Sequence, residues 1–175
     1  MGSRFVSILA ASAMALASGI AHAQQSSTNQ VAAMTDWSVF EAKEPRECWA
    51  VSTAKESVNT KDGRVVAVRR SDILFMVFYR PTANVSGQVG FTGGYPFASG
   101  SMVDLEIDGS KHVLITEGEW AWPATPSDDA KIVAAMKRGS EAKLTARSSR
   151  GTKTEDTFSL LGFTAAVEDA EKRCK

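Results

Sequence analysis

Two cysteines, Cys48 and Cys174, have the most definite chemistry open to them in this sequence. They can close a disulfide, or Cys48 can act as a nucleophile with His112 as its base. The compartment decides between the two, because disulfides persist where the surroundings are oxidising. In an exported protein the even pair is most simply a bridge. It would enclose most of the chain, which in the chain-entropy view contributes about 4–5 kcal/mol.

The acids Asp104, Glu106 and Asp108, followed by Glu117 and Glu119, offer material for a glycosidase-like carboxylate pair. Their setting argues otherwise. Val103, Leu105 and Ile107 alternate with them, so the acids form the solvated face of a strand. A calcium loop beginning at Asp104 would need a glutamate where Ile115 stands. His112 has no second histidine beside it to make a zinc set. The sequence contains no GxSxG, HExxH, phosphate-binding loop, CxxC or dinucleotide fingerprint. It therefore points to no catalytic residue, no metal and no cofactor.

Binding chemistry is better represented. Lys137, Arg138, Lys143, Arg147, Arg150 and Lys153 form a basic stripe interrupted only by Glu141. Such a stripe suits an anionic polymer or an acidic envelope or surface protein, or is simply a solvated face. Trp120 and Trp122 share one strand face, as either a stacking platform or core filling. The whole chain carries 20 Lys and Arg against 20 Asp and Glu, and that balance argues against a nucleic-acid partner.

The elements that must position these residues begin with an export signal. Arg4 precedes an uncharged apolar run from Phe5 to Ile20, which ends in Ala21-His22-Ala23. Positive start, apolar centre and small residues at the cleavage site make residues 1–23 a signal peptide, cut after Ala23. The run is short for a hydrocarbon core of about 30 Å, and no transmembrane anchor is expected after cleavage. Residues 24–35 read as a polar tether and 36–175 as one domain.

Within that domain strands dominate. Val65–Arg70, Ile73–Tyr79, Val85–Phe91, Met102–Ile107, Lys111–Thr116, Ala142–Ser148 and Thr157–Leu161 have strand composition. Ile73–Tyr79 is almost wholly apolar, as a strand buried on both faces would be. Turn signals such as Gly93-Gly94-Tyr95-Pro96 and Asp108-Gly109 separate them. Two short α-helices are expected, at about 127–138 with Ser127-Asp128-Asp129 as its cap region, and at 164–174 with Thr164 as its cap. On the second, Val167, Ala170 and Cys174 share a face. The expected fold is a mainly β, antiparallel sandwich-like domain.

Several segments together carry a resemblance. They are Cys48-Trp49-Ala50, Gly94-Tyr95-Pro96-Phe97 with Gly100-Ser101, Ala121-Trp122, and Ala135-Met136 within the helix. The most distinctive runs from Ser149-Arg150-Gly151-Thr152 through Asp156-Thr157-Phe158-Ser159-Leu160 to Gly162-Phe163-Thr164-Ala165-Ala166. From about Trp37 to Cys174 the chain resembles the invasion-associated locus B family of alphaproteobacterial envelope proteins. The resemblance implies a periplasmic, outer-envelope or secreted protein with a β-sandwich-like domain, linked in pathogens to host-cell entry. It implies no catalytic mechanism. In the distinctive segment Gly151 and Gly162 are expected in turns, and Asp156 is expected to bond nearby backbone.

The function expected from the sequence is non-enzymatic, by binding or interaction. The alternatives are a periplasmic hydrolase using the Asp104–Glu119 carboxylates, or a structural or stress-protective periplasmic protein.

Overall fold

The computed structural model describes residues 29–175, so the expected signal peptide and the start of the tether lie outside the described residues. Along the chain come β1 (Gln30–Met34), β2 (Trp37–Lys43), β3 (Arg46–Thr53), β4 (Glu56–Lys61), β5 (Arg64–Val65), β6 (Leu74–Arg80) and β7 (Val85–Thr92). Then follow β8 (Met102–Ile107), β9 (Ser110–Glu117), β10 (Trp120–Trp122), α1 (Pro126–Met136), β11 (Glu141–Arg147), β12 (Lys153–Ser159) and α2 (Phe163–Arg173).

The strands form one 12-stranded antiparallel sheet in the order β1-β2-β3-β6-β7-β10-β9-β8-β11-β12-β4-β5. The sheet folds over on itself. Phe75 of β6 and Phe158 of β12 are far apart in that order, yet their rings lie 5.5 Å apart, and Phe91 of β7 meets Phe158 edge-on at 6.2 Å. The two layers expected of a sandwich are thus halves of one continuous sheet. Alternation makes this possible: Val103, Leu105 and Ile107 on β8 and Ala142, Leu144 and Ala146 on β11 are buried, while the residues between them face outward or lie at the surface.

β6 is buried on both faces, as its composition predicts. Phe75, Val77 and Tyr79 enter the common core, and Met76 and Phe78 lie beneath aromatic residues on the outer face. The final helix buries Phe163, Ala166, Val167 and Ala170, and Cys174 just beyond it reaches Cys48 on β3. That disulfide joins residues 126 apart in sequence, with Cα atoms 5.8 Å apart.

Four expectations need correction. Gln30–Met34, assigned to the tether, is an edge strand; Ala32 and Met34 pack against the core rim, and Gln30 Nε2 donates to Ser38 Oγ. The strand expected at Val65–Arg70 stops at Val65. Val65 and Val68 stay exposed, and Arg70 turns inward to an acid, so the stretch has no apolar face to bury. The strand expected at Thr157–Leu161 lies at Lys153–Ser159, where Thr154, Asp156 and Phe158 face inward. Both helices also begin one residue earlier than expected. Thr125 caps α1, accepting from the Asp128 N–H, and Pro126 suits the first turn. Gly162, at φ +89°, precedes α2 where Thr164 was expected to cap.

Candidate functional site

Three connections converge on a cleft of about 610 Å³. One is the unpaired stretch 66–73 between β5 and β6. Another is the Gly94-Tyr95-Pro96 turn after β7, and the third is the Ser148–Thr152 turn between β11 and β12. Arg69, Arg70, Arg150 and Glu119 are its charged lining residues.

Arg70 forms the structural wall. Its Nη1 and Nη2 donate to Asp156 Oδ1 and Oδ2 at 2.7 and 2.5 Å, and its Nε donates to the Gly93 carbonyl at 2.7 Å. Ser57 Oγ donates to Asp156 Oδ1 at 2.6 Å, and Asn59 Oδ1 accepts from Arg70 Nη1. The Arg70 side chain is 6% exposed and that of Asp156 is 0% exposed. A buried charge pair survives only when both members are hydrogen-bonded, and here both are. The Tyr95 ring stacks on Arg70 with 5.0 Å between guanidinium carbon and ring centre, and the Tyr95 hydroxyl shares a 2.5 Å hydrogen bond with Thr154 Oγ1. Burial pushes the Tyr95 phenol above its ordinary range, so it is neutral.

Gly94 makes the close approach possible. At φ +72° it sits where an added Cβ would lie 2.5 Å from the Ser71 carbonyl oxygen. Arg69 and Arg150 differ from Arg70: both are exposed, and neither makes a side-chain hydrogen bond or ion pair among the described residues. Their donors are free to meet a ligand.

The basic stripe is divided. Lys137 pairs with Glu168 at 3.0 Å beside the two helices, with Arg138 next in sequence. Arg147, Arg150 and Lys153 lie at the opposite end of β11, a strand of about 20 Å. Lys153 pairs with Glu155 at 3.1 Å, Arg147 donates weakly to the Gly151 carbonyl, and Lys143 stands in register with Glu106. Of the six, only Arg150 lines the cleft.

Trp120 and Trp122 are neither core nor isolated. They stack on each other at 5.2 Å and pack against Phe78, while Phe40 and Trp49 stack at 5.5 Å on the same outer face. Gly90 clears the space, since a Cβ there would come 2.6 Å from the Trp122 ring. The acids do not converge. Asp104 and Glu106 point outward from β8, Asp108 accepts bonds from Ser140 and Glu141 that hold its carboxyl below the usual range, and only Glu119 reaches the cleft. His112 stands apart, with its pKa lowered by burial, and the described residues contain no His, Cys, Asp and Glu group arranged for a metal.

Sequence reasoning missed Arg69, Arg70, Tyr95 and Asp156 as one constellation. A usable signal was present: two adjacent arginines interrupt the stretch Val65–Tyr79, which otherwise has strand composition. Asp156 bonds Arg70 and Ser57 across the structure, not the nearby backbone expected of it.

Fold and site define a disulfide-closed, mainly β domain with a basic cleft built from connecting segments. The chain belongs to the Invasion associated locus B (IalB) protein family, whose model matches residues 37–171. The crystal structure of invasion associated protein b from Bartonella henselae is similar, with a TM-score of 0.52 and 17% identity over 79% of this chain and 94% of that one. At that identity the likeness establishes the shared fold. No curated protein matches the chain.

Proposed function

We propose that this chain is an exported cell-envelope protein that acts by binding an acidic ligand, without catalysing a reaction, through the cleft between Arg69 and Arg150. The observation that carries this reading is the pair of exposed guanidinium groups, unpaired among the described residues, on a concave site held by the Arg70–Asp156 pair. Concave sites with a few converging polar groups are the usual places for ligands.

Export is supported by the N-terminal sequence pattern and by a disulfide suited to an oxidising compartment. Among the described residues no helix is long and apolar enough to cross a membrane. The Bartonella henselae relative is described as invasion associated. A contact with an envelope or host surface is the kind of activity such relatives would share.

Retention on an immobilised acidic polymer tests the reading. The mature protein should bind at low salt and elute as salt rises, and Arg69→Ala/Arg150→Ala should elute earlier. Equal retention of the two proteins would reject the cleft as the contact site. Export is checked separately by the mass of the protein recovered from the periplasm, which should begin at Gln24.

A further inference from the structure

Resting on that reading of the cleft, we infer that its ligand is a saccharide bearing a single acidic group, either carboxylate or phosphate. The charge of the site sets the first limit. Arg70 is neutralised by Asp156 beneath it, and Glu119 offsets one of the two remaining arginines, so one net positive charge faces the ligand. A site of that kind matches one anionic group at a time. Arginine suits the task, because its planar fork of donors matches the oxygens of carboxylate and phosphate alike.

The volume sets the second limit. A cleft of about 610 Å³ is of small-molecule size, far larger than an inorganic oxyanion needs. The rest of the ligand must therefore fill a wall of hydroxyl and carboxylate groups. Ser71 and Ser149 are exposed, and their hydroxyls make no hydrogen bond among the described residues. Glu119 adds an acceptor, which a ligand rich in hydroxyls satisfies and an inorganic anion repels. The apolar lining residues are Ala67, Val68 and Pro96, with Tyr95 beside them, and the first three are small. These residues form no leucine-, isoleucine- or phenylalanine-lined socket for the large apolar anchor that dominates many protein contacts. A polyhydroxylated body carrying one acid satisfies all of these groups together.

Titration of the isotopically labelled mature protein with glucuronic acid and with glucose 6-phosphate tests the inference by NMR. Glucose, inorganic phosphate and a triglutamate peptide serve as comparisons. One or both acidic sugars should shift the amides of Ser71, Tyr95 and Ser149 and bind at least about tenfold more tightly than glucose or phosphate. Comparing the two acidic sugars tells which acid the cleft prefers. Arg69→Ala and Arg150→Ala, both at exposed positions, should each weaken that binding about tenfold. Inorganic phosphate binding as tightly as the sugars would overturn the inference, and so would binding unaffected by either substitution. If triglutamate binds in the cleft and the sugars do not, the acidic-ligand reading stands and the saccharide inference falls. If no probe perturbs the cleft, both fall.

Discussion

Arg70 and Asp156 meet fork to fork inside the protein, 86 residues apart in sequence, with N–O distances of 2.7 and 2.5 Å. Neither side chain sees appreciable solvent. The pair ties the strandless stretch after β5 to the middle of β12, and so places one wall of the cleft.

Breaking that pair on one side should be costly. Asp156→Ala leaves a guanidinium buried without its partner, and a loss of about 3–5 kcal/mol is expected in urea unfolding. Replacing both residues, as Arg70→Met/Asp156→Leu, should recover most of that loss, because no uncompensated charge remains. A double variant as unstable as the single one would show that the surrounding bonds to Ser57, Asn59 and Gly93 matter more than the charge pair itself.

The Cys48–Cys174 bridge closes a separation of 126 residues and fastens the end of α2 to β3. Removing it, by Cys48→Ala/Cys174→Ala or by reduction, should cost about 4–5 kcal/mol. For a domain of this size that lowers the thermal midpoint by about 10 °C or more. Calorimetry with and without reductant measures this directly. A midpoint unmoved by reduction would show that helix packing alone holds the C-terminus.

Gly151 and Gly162 both have positive φ, at +81° and +89°, but their surroundings differ. A Cβ at Gly151 meets nothing within 4 Å, whereas one at Gly162 would lie 1.8 Å from the Met34 carbonyl oxygen. Gly151→Ala should therefore cost only the backbone strain, about 1–2 kcal/mol. Gly162→Ala should cost about 1–3 kcal/mol more, since β1 or the turn must move aside. Denaturant midpoints of the two variants rank them, and a reversed order would contradict the packing of β1 against the turn before α2.

Asp129 on α1 is nearly buried and accepts a hydrogen bond from the Val89 N–H at 2.8 Å. Burial raises its pKa above the ordinary carboxylate value, against the opposing pull of that bond. The folded state thus favours the protonated acid more than the unfolded chain does. Its stabilising effect is complete below the unfolded pKa, near 4, and is lost as pH rises through the folded value. Asp129→Asn keeps the acceptor and removes the charge. It should be more stable than the parent protein at pH 7, with the difference shrinking as pH falls toward 4. A constant difference across that range would mean that the charge of Asp129 is not what α1 pays for.

Much of the fold is legible in short-range pattern. Met102–Ile107 alternates apolar with acidic residues, and the strand occupies those six residues. Asp108-Gly109 turns the chain as its residue types require, with both residues at positive φ. Val167, Ala170 and Cys174 share a face because a helix brings residues three and seven apart together, and all three are buried. The same rules fail at Val65–Arg70, where β-branched residues signal a strand but no partner covers them.

The candidate site was legible only in fragments. Arg150 stood out as part of a basic stretch, yet sequence proximity grouped it with Lys137, which follows α1 and pairs with Glu168, and with Lys143 on β11, and neither lines the cleft. Arg69, Tyr95 and Ser149 come from three separate connections, and no local periodicity relates them. Residue types set which strands alternate, which cysteines can bond and which charges can bind. Their meeting in one cleft depends on a sheet that folds back on its own core and on one buried ion pair, both built from contacts between residues remote in sequence. Local patterns carry no record of such contacts, because side chains far apart in sequence come within range of one another only when the chain has closed around them.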